Sequence, residues 1–268
     1  MNVLKCEFVK LKKSMSVKLT LLTVAAFSVL YGFLVSQPGV NDEDYFNGIS
    51  VLLGSFSDNM LYIIIGSIVA GLFICNDFEN RTIQESIVCG NSHLNVVAGK
   101  AVVFTLSQIV ICGIYPLIAG VITGIRSGWD WNTAGVYGAE LIGRTVLTLI
   151  TIFFAYFPVI MFFLLVSFLV QKAGISFAIN IPVMMILYQV LSLLRTELVG
   201  KSDVLLKVYD YSFFGLMDMP FRYLNAFDNN VLVNMTVQNC LPIIAAGTAW
   251  AALFFAITVV TFKKRDLK

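Results

Sequence analysis

The chain has 268 residues, of which 58% are hydrophobic and 13% are charged, with a formal net charge of +2. Soluble globular proteins contain roughly 45–50% apolar and about 25% charged residues. The composition therefore excludes, as a first interpretation, a soluble enzyme, a disordered chain or a nucleic-acid-binding protein, and it indicates a multi-pass membrane protein. At about 20 residues per membrane-spanning helix, the length allows about six spans in one embedded domain, residues 1–268.

The N-terminal segment 1–14 is predicted to form an amphipathic helix that lies in the membrane interface. Leu4, Phe8, Leu11 and Met15 recur at helical spacing and share one face. Lysines occupy much of the remaining surface, where they can approach anionic lipid headgroups. The alternative is a positively charged flank that only sets the topology.

Six continuous apolar stretches follow, and each is predicted to cross the membrane. Their continuity favours helices, because a membrane-spanning barrel would show alternation in segments of about 10 residues. The predicted spans are Leu19–Val35, Leu61–Cys75, Val97–Ile125, Ile142–Val170, Ile175–Leu194 and Leu241–Phe262. The predicted fold class is an all-α integral membrane protein with six transmembrane helices.

An even number of spans places both termini on the same side of the membrane. With both termini in the cytoplasm, 12 of the 18 Lys and Arg residues lie inside. This distribution satisfies the positive-inside rule. The predicted topology is therefore a multi-pass protein with cytoplasmic N- and C-termini, and its outer face is acidic.

The predicted cytoplasmic segment 76–99 contains start and stop signals for a helix of its own. Thr82 and Glu85 have the spacing of a capping box, and Gly90 is a suitable left-handed residue after the C-terminus. A two-turn helix, Ile83–Cys89, is predicted between them, and Ser92 is predicted to cap the next span. Such a helix either binds a cytoplasmic protein or packs only against the other helices of its own chain.

These segments together resemble the ABC-2 family of ABC-transporter permeases. The opening Leu4–Lys13 resembles the family's N-terminal elbow helix, and Thr261–Asp266 resembles the close of its sixth span. The 76–99 segment resembles its first cytoplasmic loop, although Arg81 stands where glycine is usual and His93 where arginine is usual. Size and layout are most similar to small Gram-positive permeases that handle lantibiotics, bacitracin-like antibiotics or phenol-soluble modulins.

The resemblance implies that the chain works with other subunits in a bacterial plasma membrane. Two copies of a separate cytoplasmic ABC ATPase would bind ATP and Mg, so no cofactor is expected in this chain. A second permease copy would complete a homodimer. The implied coupling residues are Asp77, Glu79, Arg81, Thr82, Ile83, Gln84 and Glu85.

The sequence offers little for catalysis within the chain. His93 is the single histidine, so a His-rich metal centre is excluded. Gly200-Lys201-Ser202 resembles the end of a phosphate-binding loop, but Arg195 stands where its first glycine should be. We therefore expect no catalytic, cofactor-binding or metal site, and no nucleic-acid partner.

Two spans carry candidate residues for a translocation pathway or a dimer face. On the fifth span they form a polar stripe, and on the second they combine aromatic and small side chains. They are Ser176, Asn180, Met184 and Tyr188, and Tyr62, Gly66 and Phe73. In the family the second and fifth spans line the route between two permeases. The alternative is interhelical packing within one bundle, which is the preferred interpretation for the Gly120/Gly124 pair.

The outer connection 196–239 is rich in aromatic residues, and the resemblance implies helices that re-enter the membrane there. An acidic, aromatic outer face would attract cationic amphipathic peptides. The predicted function is the permease subunit of an ATP-driven exporter of amphipathic peptides, either toxins or antimicrobials. The alternatives are an ABC-2 exporter of a drug, lipid or glycan, and a stand-alone channel or secondary transporter.

Overall fold

A computed structural model describes residues 3–37, 48–129, 139–198, 202–225, 232–233 and 235–264. Helices dominate these ranges, with one short hairpin near the C-terminal end. The helices are α1 (Val3–Lys13), α2 (Met15–Val35), α3 (Gly48–Gly54), α4 (Asn59–Ala70), α5 (Asn76–Glu79), α6 (Thr82–Val88), α7 (His93–Ser127), α8 (Ala139–Val170), α9 (Ala173–Leu198), α10 (Asp203–Asp210), α11 (Gly215–Arg222) and α12 (Val237–Lys264). A 3₁₀ turn, Ser55–Ser57, precedes α4, and a π-helical turn, Gly71–Cys75, joins α4 to α5.

Six helical segments in the described ranges are long and apolar enough to cross a membrane. They are Met15–Val35, Asn59–Glu79, His93–Ser127, Ile142–Val170, Ala173–Thr196 and Val237–Lys264. Each contains or overlaps one predicted span. The all-α integral membrane class is therefore confirmed, and the protein is a multi-pass membrane protein.

The spans differ in how much of their surface the protein itself covers. The second span, α4 to α5, is 67% buried over its most apolar window, whereas the fifth, α9, is only 11% buried. Apolar side chains that the chain itself does not cover on a membrane-spanning helix contact either lipid or another protein, since both keep them out of water. The second span is thus central in the bundle, and the fifth is peripheral.

Glycines permit the closest helix contacts. A Cβ added at Gly247 of α12 would lie 2.2 Å from the carbonyl oxygen of Phe154 on α8. The backbones of these two helices are therefore in direct contact. A Cβ at Gly120 would lie 2.7 Å from Cβ of Leu52. The short helix α3 packs against α7 at this point. The sequence analysis did not predict α3. Close packing at Gly120 is what the small-residue spacing predicts.

In the part of the predicted outer connection that the structure describes, there are two short helices and a hairpin. Helix α11 packs on α8 and buries Leu216 and Met217 completely. The hairpin pairs β1 (Leu224–Asn225) with β2 (Leu232–Val233) in antiparallel register. Helices are therefore present in the predicted outer loop 196–239, while their re-entry into the membrane stays a prediction. Gly200 and Lys201 lie outside the described residues.

Candidate functional site: the loop helix and its ion cluster

The loop helix α6 begins at a left-handed residue. Arg81 has φ 59° and ψ 11° and precedes α6 without a side-chain cap. Thr82 is the first helical residue, and its hydroxyl donates to the carbonyl oxygen of Asp77 at 3.2 Å. The predicted capping box of Thr82 and Glu85 is therefore wrong. Because the helix starts one residue early, the Thr82 side chain points back towards α5 rather than to the amides of its own first turn.

The C-terminal end of α6 follows the sequence prediction. Gly90 has φ 90°, and its N–H donates to the Ile87 carbonyl at 2.9 Å. The N–H of Asn91 donates to the Ser86 carbonyl at 3.3 Å. These two bonds form a Schellman motif, which uses a left-handed residue to satisfy the last carbonyls of a helix. The predicted Ser92 cap is confirmed too, since its hydroxyl accepts from the Asn95 N–H at 3.2 Å.

Helix α6 has one packed face and one free face. Ile83 is 1% exposed and joins the main apolar core. Arg81 and Glu85 are exposed, and Val88 is 87% exposed. Gln84 lies between these faces, half-buried. The helix is thus anchored in its own bundle and still leaves one face uncovered, so elements of both sequence interpretations are present.

A buried lysine organises the base of this loop. The side chain of Lys100, on α7, is 0% exposed, and its Nζ lies 2.9 Å from Oε2 of Glu7. The same Nζ donates to Asp77 Oδ2 and lies 4.9 Å from the centre of the Phe73 ring. An ammonium group in an apolar bundle is tolerated only when such partners replace its water.

Lys10 completes the cluster from the elbow helix α1. Its Nζ lies 3.4 Å from Glu7 Oε1, 3.2 Å from Asp77 Oδ2 and 3.4 Å from Thr82 Oγ1. Burial by itself lowers the pKa of Lys10, but the Glu7 and Asp77 carboxylates outweigh burial and raise that pKa above its ordinary value. Glu7, Lys10, Asp77 and Lys100, hereafter the ion cluster, thus balance two negative with two positive charges.

The sequence analysis named Asp77 but did not single out Glu7 as a site residue. The available signal was an acidic residue inside a basic amphipathic helix, three positions before Lys10. On α1, Glu7 and Val3 face α7, where a Cβ added at Gly99 would lie 3.1 Å from Val3 Cγ1. Phe8, on the predicted apolar face, is exposed, as expected for a helix that also contacts lipid. Met15, predicted on the same face, is instead the first residue of α2, because Ser14 caps a new helix.

Glu79 connects the loop to the start of the fifth span. Its Oε1 accepts from the backbone N–H of Ala173, the first residue of α9, at 2.9 Å. Free N–H groups at a helix N-terminus favour a negative charge. This carboxylate therefore links the loop that carries α6 to the turn at Gln171–Lys172, where Gln171 has φ 61°.

Aromatic rings close the bundle under the loop. Phe78, Phe168 and Phe262 meet edge to face, with ring centres 5.1 to 6.0 Å apart. His93 lies edge-on to Phe262 at 5.3 Å. The residue at the position where the resemblance expects arginine thus packs against the end of α12. Among the described residues, no group of three or more His, Cys, Asp or Glu side chains could hold a metal ion.

The arrangement of elbow, loop helix and spans agrees with sequence comparison. The family model described as ABC-2 family transporter protein matches residues 3–184, from the elbow helix into α9. The chain belongs to the ABC-2 family of transporter proteins. A comparison with curated proteins returns no significant match. Members of the ABC-2 family are membrane components of transporters rather than enzymes, and membership implies an ABC ATPase partner.

In this ABC-2 protein the predicted stripe on the fifth span packs inside the chain. Ser176, Asn180 and Met184 are fully buried. Ser176 Oγ lies 3.2 Å from Ser167 Oγ on α8, and Asn180 Nδ2 donates to Ser176 Oγ at 3.1 Å. These contacts are of the kind that the interhelical alternative predicts. A pathway or dimer role for the stripe stays a proposal.

Tyr188, the last predicted stripe residue, belongs to a polar network at the outer end. Its hydroxyl donates to Asp218 Oδ1 at 2.7 Å, and Asn59 Nδ2 donates to the same oxygen at 2.8 Å. The Tyr156 hydroxyl donates to Asn59 Oδ1. Burial raises the pKa of the Asp218 carboxyl, against the lowering effects of the Tyr188 hydrogen bond and the positive charge of Arg222. The sequence did not indicate this network, because its members are distant along the chain.

The predicted residues of the second span separate into two places. Tyr62 and Gly66 line a cavity of about 270 Å³ between α4, α7 and α8. Phe73 lies further along, in the π-helical turn, under the Lys100 ammonium group. The second span therefore contributes both to an intramembrane cavity and to the ion cluster.

Proposed function

We propose that this ABC-2 protein is the permease subunit of an ATP-driven exporter and that α6 is the helix through which a separate ATPase acts on it. One observation carries the proposal: α6 is anchored through Ile83 and leaves Arg81, Glu85 and Val88 uncovered. A helix without partners would not transmit force, and a fully packed helix would offer no docking surface.

The contacts around α6 supply a route for that force. Thr82 bonds to Asp77 and lies 3.4 Å from Lys10, which ties the helix to the ion cluster and hence to the elbow. Glu79 extends the connection to α9. Displacement of α6 by the ATPase would thus be transmitted to the spans that begin or end at this surface. Coupling further requires that the docking contact differ between two conformations of the transporter.

For the substrate we propose cationic amphipathic peptides, moved outwards or removed from the membrane. The support is the acidic balance of the predicted outer face, which attracts positive charge, together with the aromatic outer connection. Asp42, Glu43 and Asp44 contribute to this balance and lie outside the described residues. Reversal of all three to lysine should reduce peptide transport, and unchanged selectivity would contradict this substrate class. A drug, lipid or glycan remains the alternative cargo.

We further propose a homodimer of permeases with two ATPase copies, in a bacterial plasma membrane, with both termini in the cytoplasm. The low burial of α9 within the chain supports this arrangement, because it leaves a largely apolar helix available to lipid or to a second copy. The surplus of lysine and arginine on the predicted inner side supports the orientation.

The proposal can be tested on the purified permease with its candidate ATPase in lipid nanodiscs. ATP hydrolysis should require the permease–ATPase complex and rise when a cationic amphipathic peptide is added. Val88→Asp, on the free face of α6, should prevent assembly of that complex. Val204→Asp is a matched control, because Val204 is also an exposed valine, on α10 of the outer connection.

Two results would contradict the proposal. Assembly of the Val88→Asp complex with normal stimulated activity would exclude the free face of α6 as the docking surface. A permease that binds no ATPase, and that moves solute across liposomes by itself, would favour the channel or secondary transporter instead.

A further inference from the structure

The cavity between α4, α7 and α8 has features of a ligand site that the proposed export function does not use. Its volume is about 270 Å³, and its walls are mostly aromatic and aliphatic, with Phe153, Ile160 and Phe163 among them. An apolar cavity of about 150 Å³ holds one benzene molecule and stays free of water. This cavity therefore accommodates a molecule of about two rings.

One polar group in the wall lacks a partner. Gln108 is 2% exposed, and its Nε2 has no hydrogen-bond partner among the described residues. Its Oε1 is occupied, since the Cys112 thiol donates to it at 3.7 Å. The other polar wall groups are satisfied: the Tyr62 hydroxyl donates to the Ser55 carbonyl oxygen at 3.2 Å, and the Tyr156 hydroxyl donates to Asn59 Oδ1. Among the residues that line the cavity, Gln108 thus carries the one donor without a partner, and a buried donor without an acceptor is costly.

The position of Gln108 along α7 restricts what can supply the acceptor. The helix has 35 residues, His93–Ser127, and Gln108 lies close to its middle. At 1.5 Å per residue, the amide is more than about 20 Å from either end of the helix. Since α7 is longer than the roughly 30 Å thickness of the hydrocarbon core, its ends project beyond the core and Gln108 lies inside it. A molecule that dissolves in the hydrocarbon core can supply an acceptor at this depth.

The cavity wall also includes residues that border the lipid. Ile109, next to Gln108, is 43% exposed, and it lines the cavity. Gly113, one turn further, lines the same wall, and a Cβ added there would meet no atom within 4 Å. The α7 wall is thus thin at this point and leaves a route from the bilayer.

We propose that this cavity binds a neutral lipophilic molecule of about two rings, which enters from the membrane and accepts a hydrogen bond from Gln108 Nε2 through a carbonyl or ether oxygen. The apolar walls provide the affinity, and the single amide selects for the acceptor. Binding at this site requires no ATPase, and the wall includes Tyr62 and Gly66, two of the pathway candidates named from the sequence.

Benzophenone is a suitable probe, because it has two rings and one ketone and inserts into neighbouring C–H bonds on illumination. The purified permease in nanodiscs is illuminated at increasing probe concentration, and the adducts are mapped by mass spectrometry. Saturable labelling at Ile109 and Ile160 is expected. Gly113→Leu, which fills the cavity, should abolish it, and Gln108→Leu should raise the half-saturating concentration about fivefold, the effect of one lost hydrogen bond.

Gly143→Leu is the matched control. Gly143 is also a helical glycine in open space, on α8 outside the cavity wall, so its replacement should leave the labelling unchanged. Labelling that fails to saturate and spreads over lipid-facing residues of α9 would overturn the proposal. So would saturable labelling that persists in Gly113→Leu. Since no ATPase is present, either result leaves the proposed export function untouched.

Discussion

Lys100 Nζ lies 2.9 Å from Oε2 of Glu7, a residue 93 positions earlier in the chain. The contact joins the elbow helix α1 to the third span, and both side chains are almost completely withdrawn from solvent. A buried ion pair therefore holds helix α1 to the bundle. Any movement of α1 relative to α7 must break or carry this pair.

Replacement of Lys100 by methionine should destabilise the protein by about 3 kcal/mol, because it leaves the carboxylates of Glu7 and Asp77 with Lys10 as their one cluster cation. The double variant Glu7→Gln/Lys100→Met should lose less than the sum of the single losses. Thermal unfolding of the detergent-solubilised protein measures both effects. Lys18→Met, at an exposed lysine of α2, is the control. Additive losses would show that the pair is energetically unimportant.

Arg81→Gly should stabilise the protein relative to Arg81→Ala by about 1 kcal/mol. Both variants remove the charge, but glycine alone adopts the left-handed backbone of this position without steric cost. Thermal unfolding of the two variants under identical conditions measures the difference. Equal unfolding temperatures would mean that the left-handed turn before α6 is not maintained in the protein.

Glu79→Ala should free the backbone N–H of Ala173 and loosen the start of α9. Loss of a capping interaction is worth about 1 kcal/mol, so hydrogen exchange of that amide should accelerate about fivefold. Peptide transport should be lost although the permease still folds. Glu79→Gln keeps a hydrogen-bond acceptor, so its amide exchange rate at Ala173 should lie between those of the unmodified protein and Glu79→Ala. Glu85→Ala is the control for hydrogen exchange, because Glu85 is exposed and caps no helix. Unchanged exchange of the Ala173 amide in Glu79→Ala would exclude the proposed contact between Glu79 and α9.

Stability should increase as pH falls through the pKa of Asp218. Burial raises this pKa in the folded protein above the ordinary 3.8, so the folded state binds the proton more tightly than the unfolded state does. Stability is then gained as pH decreases through the raised value and levels off below the unfolded value. In Asp218→Asn this part of the pH dependence of the unfolding temperature should disappear. In Asp203→Asn, an exposed acid on α10, it should persist.

Local features of the chain were predictable where neighbouring residues determine them. The end of α6 at Gly90 and the start of α7 at Ser92 depend on bonds that span three to five positions. The six spans follow from length and hydropathy alone, because a backbone in hydrocarbon has to satisfy its own hydrogen bonds. Membership of the ABC-2 family was likewise indicated by the order and spacing of short motifs.

The capping box at Thr82 failed for a reason that lies outside its own segment. Arg81 takes the left-handed conformation that lets α6 turn back on α5, and the Thr82 hydroxyl then finds Asp77 rather than an amide of its own helix. A local motif competes with tertiary contacts of similar energy, and here the tertiary contacts determine the geometry.

The sequence by itself determined the spans, the end of α6 at Gly90 and the start of α7 at Ser92, since these depend on hydropathy and on bonds between near neighbours. Only the tertiary structure decided that Glu7 meets Lys100, that the polar stripe at Ser176 and Asn180 turns inwards, and that Gln108 faces a cavity. Those contacts depend on which helix faces pack together. In a membrane, apolar side chains gain little free energy by contacting protein instead of lipid, so hydropathy does not specify which helix faces pack together.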